Sequence, residues 1–252
     1  MICASCAEKS STTASEPEAP EWVSLFDGES LEGWIPKIRG HEVGENFANT
    51  FRVNDGQIEV GYDEYEGAFA ERFGHLFYQS SFSSYKFRME YKFFGEQAEE
   101  GPGWAWRNSG IMVHCQDPAT MTLEQDFPRS VEVQLLGGPE EGDRPTANLC
   151  TPGTHVVMGD SVEMRHCLNS VSDTYRGDQW VSVMVEVYAD SLIRHIVEGD
   201  TVMTYYSPQV GGGNVNTPPD SPEAGTLIKE GWISLQSESH PVAFRKIEVM
   251  EL

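Results

Sequence analysis

The chain has 252 residues, with 40 acidic against 17 basic side chains and a formal net charge of -23. Phosphate recognition needs clustered Lys and Arg, so nucleic acid and an anionic membrane surface are excluded as partners. The hydrophobic fraction of 39% and the aromatic fraction of 11% suffice for a packed core, and no run reaches the ~20 apolar residues of a membrane-spanning helix.

Residues 1–21 read as a disordered tether, because MICASCAEKSSTTASEPEAP has no periodic apolar positions and is rich in Ser, Thr, Glu and Pro. Within it Cys3-Ala4-Ser5-Cys6 resembles the end of a bacterial lipoprotein signal, in which small residues precede a lipid-bearing cysteine, here Cys6. The apolar region of such a signal does not precede it, so a plain disordered N-terminus stands beside the lipid-anchor reading.

Residues 22–252 read as a single all-β domain of short strands punctuated by Gly, Pro, Asn and Asp, with no amphipathic helix longer than two turns. Strands are expected from Phe51 to Val60 around an Asn54-Asp55-Gly56 turn, and from Tyr85 to Phe93, where apolar and charged residues alternate strictly. Further strands follow at Gly110 to Cys115, Val131 to Leu136, Val181 to Val187 and Leu192 to Val197. The last are Val202 to Tyr206, Trp232 to Gln236 and Val242 to Met250. Gly95 to Gly103 reads as a charged surface loop, Thr120 to Gln125 as one helical turn, and Val210 to Gly225 as a Gly- and Pro-rich insertion that either rims a site or is simply solvated. About ten strands of this kind fit two antiparallel sheets packed face to face.

Cys150 and Cys167 flank a segment with turn signals, and a disulfide between them would close a short loop worth roughly 3 kcal/mol. Cys115 ends an apolar strand and reads as a buried thiol.

Three strands carry an unusual polar set opposite their apolar face. Glu132 and Gln134 share one face of the first, His114 and Asn108 share parity on the second, and Ser234, Gln236 and Glu238 line the third. A solvated sheet face explains any one of these. Three together, with His and Gln in place of Lys and Thr, point to a sugar site, since hydroxyls favour amide and carboxylate partners. His114, His155, His166 and His240 lie near these segments, whereas His41, His75 and His195 look incidental. No GxSxG elbow, P-loop, GxGxxG after a strand or HExxH occurs, which removes the serine-hydrolase, nucleotide, dinucleotide and zincin readings.

At these same residues the chain resembles the 3-keto-disaccharide hydrolase family. Leu25-Phe26-Asp27-Gly28 with Leu31-Glu32-Gly33-Trp34 is similar to its opening, Asn108-Ser109-Gly110-Ile111 to its NSGI segment, and Glu132-Val133-Gln134-Leu135-Leu136 to its E-x-Q strand. Gly231 to Gln236 with His240, Pro241, Val242, Phe244 and Arg245 resembles its closing pattern. The resemblance implies a concanavalin-like jelly roll, a periplasmic or surface-tethered location, and cleavage of glycosides whose sugar is a ketone at C3. Such a ketone acidifies the C2 proton, so one well-placed base allows the C1 substituent to leave by elimination, with water addition completing a net hydrolysis. The enolate needs a fixed donor or cation, which could be His, Arg, Asn or a divalent metal such as Ca or Mn.

For that chemistry Glu132 and His166 are taken as the leading base and acid candidates, in an order the resemblance does not settle, with His114 and His240 as enolate or leaving-group partners. Asn108, Gln134, Gln236 and Glu238 are assigned to the sugar or a metal shell, and Arg107 is a candidate charged partner. The rival reading is a non-catalytic carbohydrate-binding module, which the same fold would serve. The Glu96 to Arg107 loop and the Cys150 to Cys167 excursion depart from many members, which bears on substrate more than on fold.

Overall fold

The computed structural model describes residues 20–212 and 221–252. The expected lipid-bearing Cys6 and the centre of the Val210 to Gly225 insertion therefore lie outside the described residues. In chain order the strands are β1 (Val23–Ser24), β2 (Trp34–Ile38), β3 (Phe51–Asn54), β4 (Gln57–Val60), β5 (Gly74–Phe82) and β6 (Ser84–Phe93). They continue as β7 (Asn108–Cys115), β8 (Val131–Leu136), β9 (Asn148–Cys150), β10 (Thr154–Met158), β11 (Ser161–Glu163) and β12 (Cys167–Leu168). The last five are β13 (Val181–Tyr188), β14 (Leu192–Val197), β15 (Asp200–Val210), β16 (Gly231–Ser237) and β17 (Val242–Glu251).

Two antiparallel sheets result, one of ten strands and one of seven, in a jelly-roll sandwich. Alternation sets which face each strand buries. On β6, Tyr85, Phe87, Met89, Tyr91 and Phe93 are buried between the sheets while the intervening charged residues stay half exposed. The expected Asn54-Asp55-Gly56 turn joins β3 to β4 with Asp55 at φ 50° and Gly56 at φ 73°, the paired left-handed residues of a tight hairpin. The helical turn expected from Thr120 lies earlier, as a 3-10 turn at Pro118–Thr120 capped by the Asp117 side chain.

The seven-stranded sheet runs in the order β12, β9, β8, β7, β16, β5, β2. Its inner face contributes Ile111, Val113, Val131, Val133, Leu135, Ile233 and Leu235 to the main core. On its outer face Phe77, Met112, Cys115 and Met121 form a second, smaller apolar cluster, with Met121 supplied by the segment between β7 and β8. That cluster covers part of the outer face, and the remainder holds the polar side chains described next.

Candidate active site

The floor is built on three consecutive strands, β8, β7 and β16. Register places Glu132 opposite Met112 on one side and Cys150 on the other, with Gln134 opposite Gly110 and Asn148. Gly110 lies between two functional side chains: a Cβ there would stand 2.9 Å from Glu132 Oε1 and 3.0 Å from Gln236 Oε1. Glycine thus lets a carboxyl from β8 and an amide from β16 approach across the strand that separates them. Glu238 follows β16 at a corner where Ser239 takes φ 92°, and the Tyr62 hydroxyl braces that corner by accepting from Ser239 N at 2.8 Å and meeting Ser237 Oγ at 2.9 Å.

A cavity of ≈ 380 Å³ opens over this floor, within the size range of small-molecule sites. Asn108, Glu132, Gln134 and Glu238 line its base, Trp104 and Phe127 contribute aromatic surface, and Pro152, His166 and the Cys150–Cys167 disulfide complete the lining. Trp104 is 55% exposed and stacks on Phe73 at 5.7 Å, and Phe73 in turn meets Phe127 at 5.1 Å. The loop carrying Trp104 reads from its composition as charged surface, and its outward acids are indeed exposed. Its inner side is anchored, since Gln97 Nε2 donates to Ser239 Oγ at 2.8 Å and Ala98 N to Ser239 O at 2.8 Å.

Several buried polar atoms on this floor have no partner within the protein: Asn108 Oδ1, both side-chain atoms of Gln236, and Glu238 Oε2. Buried polar groups are ordinarily hydrogen-bonded, so a cluster of free ones beside a cavity marks capacity held for a ligand. Gln134 is partly engaged, accepting from Asn148 Nδ2 at 3.2 Å. Burial raises the Glu132 carboxyl to about 8. Glu238 is pushed well above the carboxylate range by burial and then by the Glu132 charge, against an opposing pull from Arg144. Two buried carboxyls in one site cannot both ionise near neutrality, so the pair holds a proton.

Three placements differ from expectation and one agrees. Counting along the strand aligns His114 with Asn108, but β7 bulges: Met112 pairs with Ser234 and Cys115 with Trp232, so β7 advances one residue more than β16, and His114 sits at φ 52°. Its imidazole leaves the cavity and meets Ala189 O at 3.0 Å. His240 is buried between Phe93 and Trp106 rather than lining the cavity, where burial and the Arg107 charge lower its pKa to about 4. Arg107 turns to the Gly177-Asp178 turn, pairing with Asp178 Oδ1 at 2.7 Å. His166 does line the cavity, at its exposed rim, where partial burial lowers its pKa.

The arginine near the carboxyl pair is Arg144, which the sequence did not single out. Its guanidinium donates to Trp106 O at 2.7 Å and Gly137 O at 2.9 Å, tying the Trp104 loop to the end of β8. Trp104 and Trp106 in a Gly- and Pro-rich loop were the available signal for an aromatic wall. Among the described residues no group of three or more His, Cys, Asp or Glu converges as a metal-binding set. The floor supplies only two carboxyls, fewer than such a set, toward the divalent cation considered above.

A sandwich whose outer face gathers two carboxyls, two amides and an exposed Trp in one cavity belongs to the carbohydrate-active class of jelly rolls. The chain is a member of the family defined by the 3-keto-alpha-glucoside-1,2-lyase-like domain, which matches residues 21–250. No curated protein matches it. Among solved structures, a Bacillus subtilis protein of unknown function with a galectin-like fold superposes with a TM-score of 0.56 at 9% identity, over 93% of this chain and 96% of that one. A glycosyl-hydrolase candidate from Parabacteroides distasonis gives 0.52 at 17% identity, over 92% of this chain and 100% of that one. At these identities the likeness is one of fold.

Proposed function

We propose that the cavity binds a 3-keto-glycoside and cleaves its glycosidic bond by base-assisted elimination, with Glu132 as base and Glu238 as acid. The observation that carries this reading is the buried carboxyl pair: burial raises both groups and the Glu132 charge raises Glu238 further, so Glu132 is the member that ionises first, toward about pH 8. Glu132 takes the ionised role because its own charge is what drives Glu238 further up.

In this scheme Glu132 removes the C2 proton and the electrons pass to the C3 oxygen. The free Gln236 Nε2 donates to that oxygen. Collapse of the enolate forms the C1–C2 double bond and expels the C1 substituent, which leaves with the Glu238 proton. Water then adds: its hydroxyl goes to C1, Glu132 returns its proton to C2, and the remaining water proton passes through His166 to restore Glu238. His166 suits this step because it stands at the rim with a lowered pKa and is neutral. The exposed face of Trp104 supplies a ring-stacking surface beside the reacting centre.

The test is incubation with a chromogenic 3-keto-glucoside alongside the unoxidised glucoside. Release from the keto substrate alone, abolished in Glu132→Gln, supports the proposal. A second reading, a non-catalytic sugar-binding module, is favoured by the exposed Trp104 platform, and binding of plain glycan with no release from either substrate would establish it. Location forms part of the proposal: a disulfide beside the site suits an oxidising setting such as the periplasm or cell surface, with Cys6 as the lipid tether.

A further inference from the structure

We infer that the Cys150–Cys167 disulfide is a positioning device for the active site, holding His166 against β9, the strand beside that of Glu132, so that the reaction depends on the bridge being oxidised. The inference rests on the reading of the cavity just given. It starts from register: Cys150 stands directly across from Glu132, and Cys167 directly across from Cys150. The covalent bond therefore joins the strand that flanks the catalytic carboxyl to the edge strand beyond it, and His166 is the residue beside its far end.

Little else holds that end. β12 is two residues long and forms the edge of its sheet. On the His166 side its attachments are the Leu168–Leu149 pairing and the His166 carbonyl, which accepts from Thr151 N at 2.9 Å and Thr151 Oγ1 at 3.2 Å, while on the far side Leu168 packs on the core and Ser170 donates to Asn148 Oδ1 and Thr146 O. The side chains of Met164, Arg165 and His166, ahead of Cys167, are exposed, so side-chain packing does not fix that stretch. A two-residue edge strand has few ladder hydrogen bonds of its own, so the bridge supplies a large share of what holds Cys167 to β9. Both bridged cysteines and His166 line the same cavity, which places the staple within the site, and Cys167 is exposed to a reductant. A dithiol reductant would break the S–S bond, supplying two electrons and two protons to give two thiols while itself closing to a disulfide.

A staple that served stability alone would act independently of His166, and a double-mutant cycle separates the two cases. The four full-length proteins are wild type, Cys150→Ala/Cys167→Ala, His166→Ala and the triple variant, assayed on a 3-keto-glucoside below their melting temperatures. The expected result is a fall in kcat of about tenfold or more on removing the bridge, matching that of His166→Ala, with KM little changed and no additional loss in the triple variant. Independent losses that multiply in the triple variant would overturn the inference, as would full kcat in the bridge-free protein. A second measurement does not depend on the chemistry: an NMR titration of His166 in oxidised and dithiothreitol-reduced wild type. The imidazole pKa should rise toward its ordinary value on reduction, and an unchanged titration would overturn the inference even if the substrate assignment stands. If no substrate is cleaved but the titration shifts, the functional reading fails while the positioning role holds.

Discussion

Glu132 and Gln236 meet across Gly110, their side-chain oxygens 2.9 and 3.0 Å from the point where a Cβ on that glycine would stand. The backbone of Gly110 lies outside the left-handed region, so alanine suits its conformation, and the conflict is purely with the two functional side chains. Gly110→Ala should therefore fold while displacing the carboxyl and the amide together. Misplacement on the ångström scale costs on the order of 100-fold in rate, whereas overpacking of this kind costs roughly 1–3 kcal/mol in stability. Steady-state kinetics with a melting curve checks this, and a variant that keeps wild-type kcat/KM would remove Gly110 from the argument.

The Glu132 carboxyl gives a pH signature in stability. Burial raises it from 4.5 to about 8, so between those values the unfolded chain releases a proton that the folded chain retains. The stability associated with this group is complete below about pH 4.5 and is lost as pH rises toward 8. The loss grows with each pH unit across that interval and is on the order of a few kcal/mol in all. Glu132→Gln has no such proton, so its melting temperature should gain on wild type progressively between pH 5 and pH 8. A difference that stays flat across that range would contradict the buried, protonated state.

Which parts of this could be read from the sequence follows from what each strand faces. Tyr85 to Phe93 and Val181 to Val187 separate core from a more open face, so their alternation declares them. β5 gives no such signal, because Leu76 enters the main core while His75 and Phe77 are buried on the opposite face, which erases the contrast. Asn108, Glu132, Gln134 and Glu238 are legible by facing and resemblance, and they do line one cavity. His114 is misplaced by a strand count because a bulge shifts parity without leaving a composition cue. The meeting of Glu132 and Glu238 is hidden because β7 lies between their strands, and Arg144 is hidden because its role is to bind backbone carbonyls far apart in sequence.

Trp104 and Arg144 should separate binding from chemistry. Trp104 offers an exposed ring stacked on Phe73 and takes no part in proton transfer, so Trp104→Ala should raise KM about tenfold and leave kcat within about twofold, given stacking worth ~0.5–1.5 kcal/mol beyond burial. Arg144→Ala removes the Nη1 nitrogen that donates to both Trp106 O and Gly137 O. It should reproduce the KM effect by releasing the Trp104 loop. A kcat loss in Trp104→Ala with unchanged KM would place the ring in the chemistry instead.

His195 supplies the contrast to His166. It is fully buried, with Nδ1 at 2.8 Å from Ala147 O and Nε2 at 2.7 Å from the Tyr205 hydroxyl, and burial lowers its pKa to about 4. Both ring nitrogens are occupied within the core, so it has no route to a ligand. His195→Phe should strand the Ala147 carbonyl and the Tyr205 hydroxyl, at about 1–3 kcal/mol for each buried group left unpaired, and melt at a lower temperature with kcat unchanged wherever the protein remains folded. Because its folded pKa lies below the unfolded value of 6.5, the stability it contributes is present above pH 6.5 and lost as pH falls toward 4. The variant's deficit should therefore shrink in acid, and thermal melts at pH 7.5 and pH 4.5 measure it. An equal deficit at both values would show that the imidazole does not stay neutral in the fold.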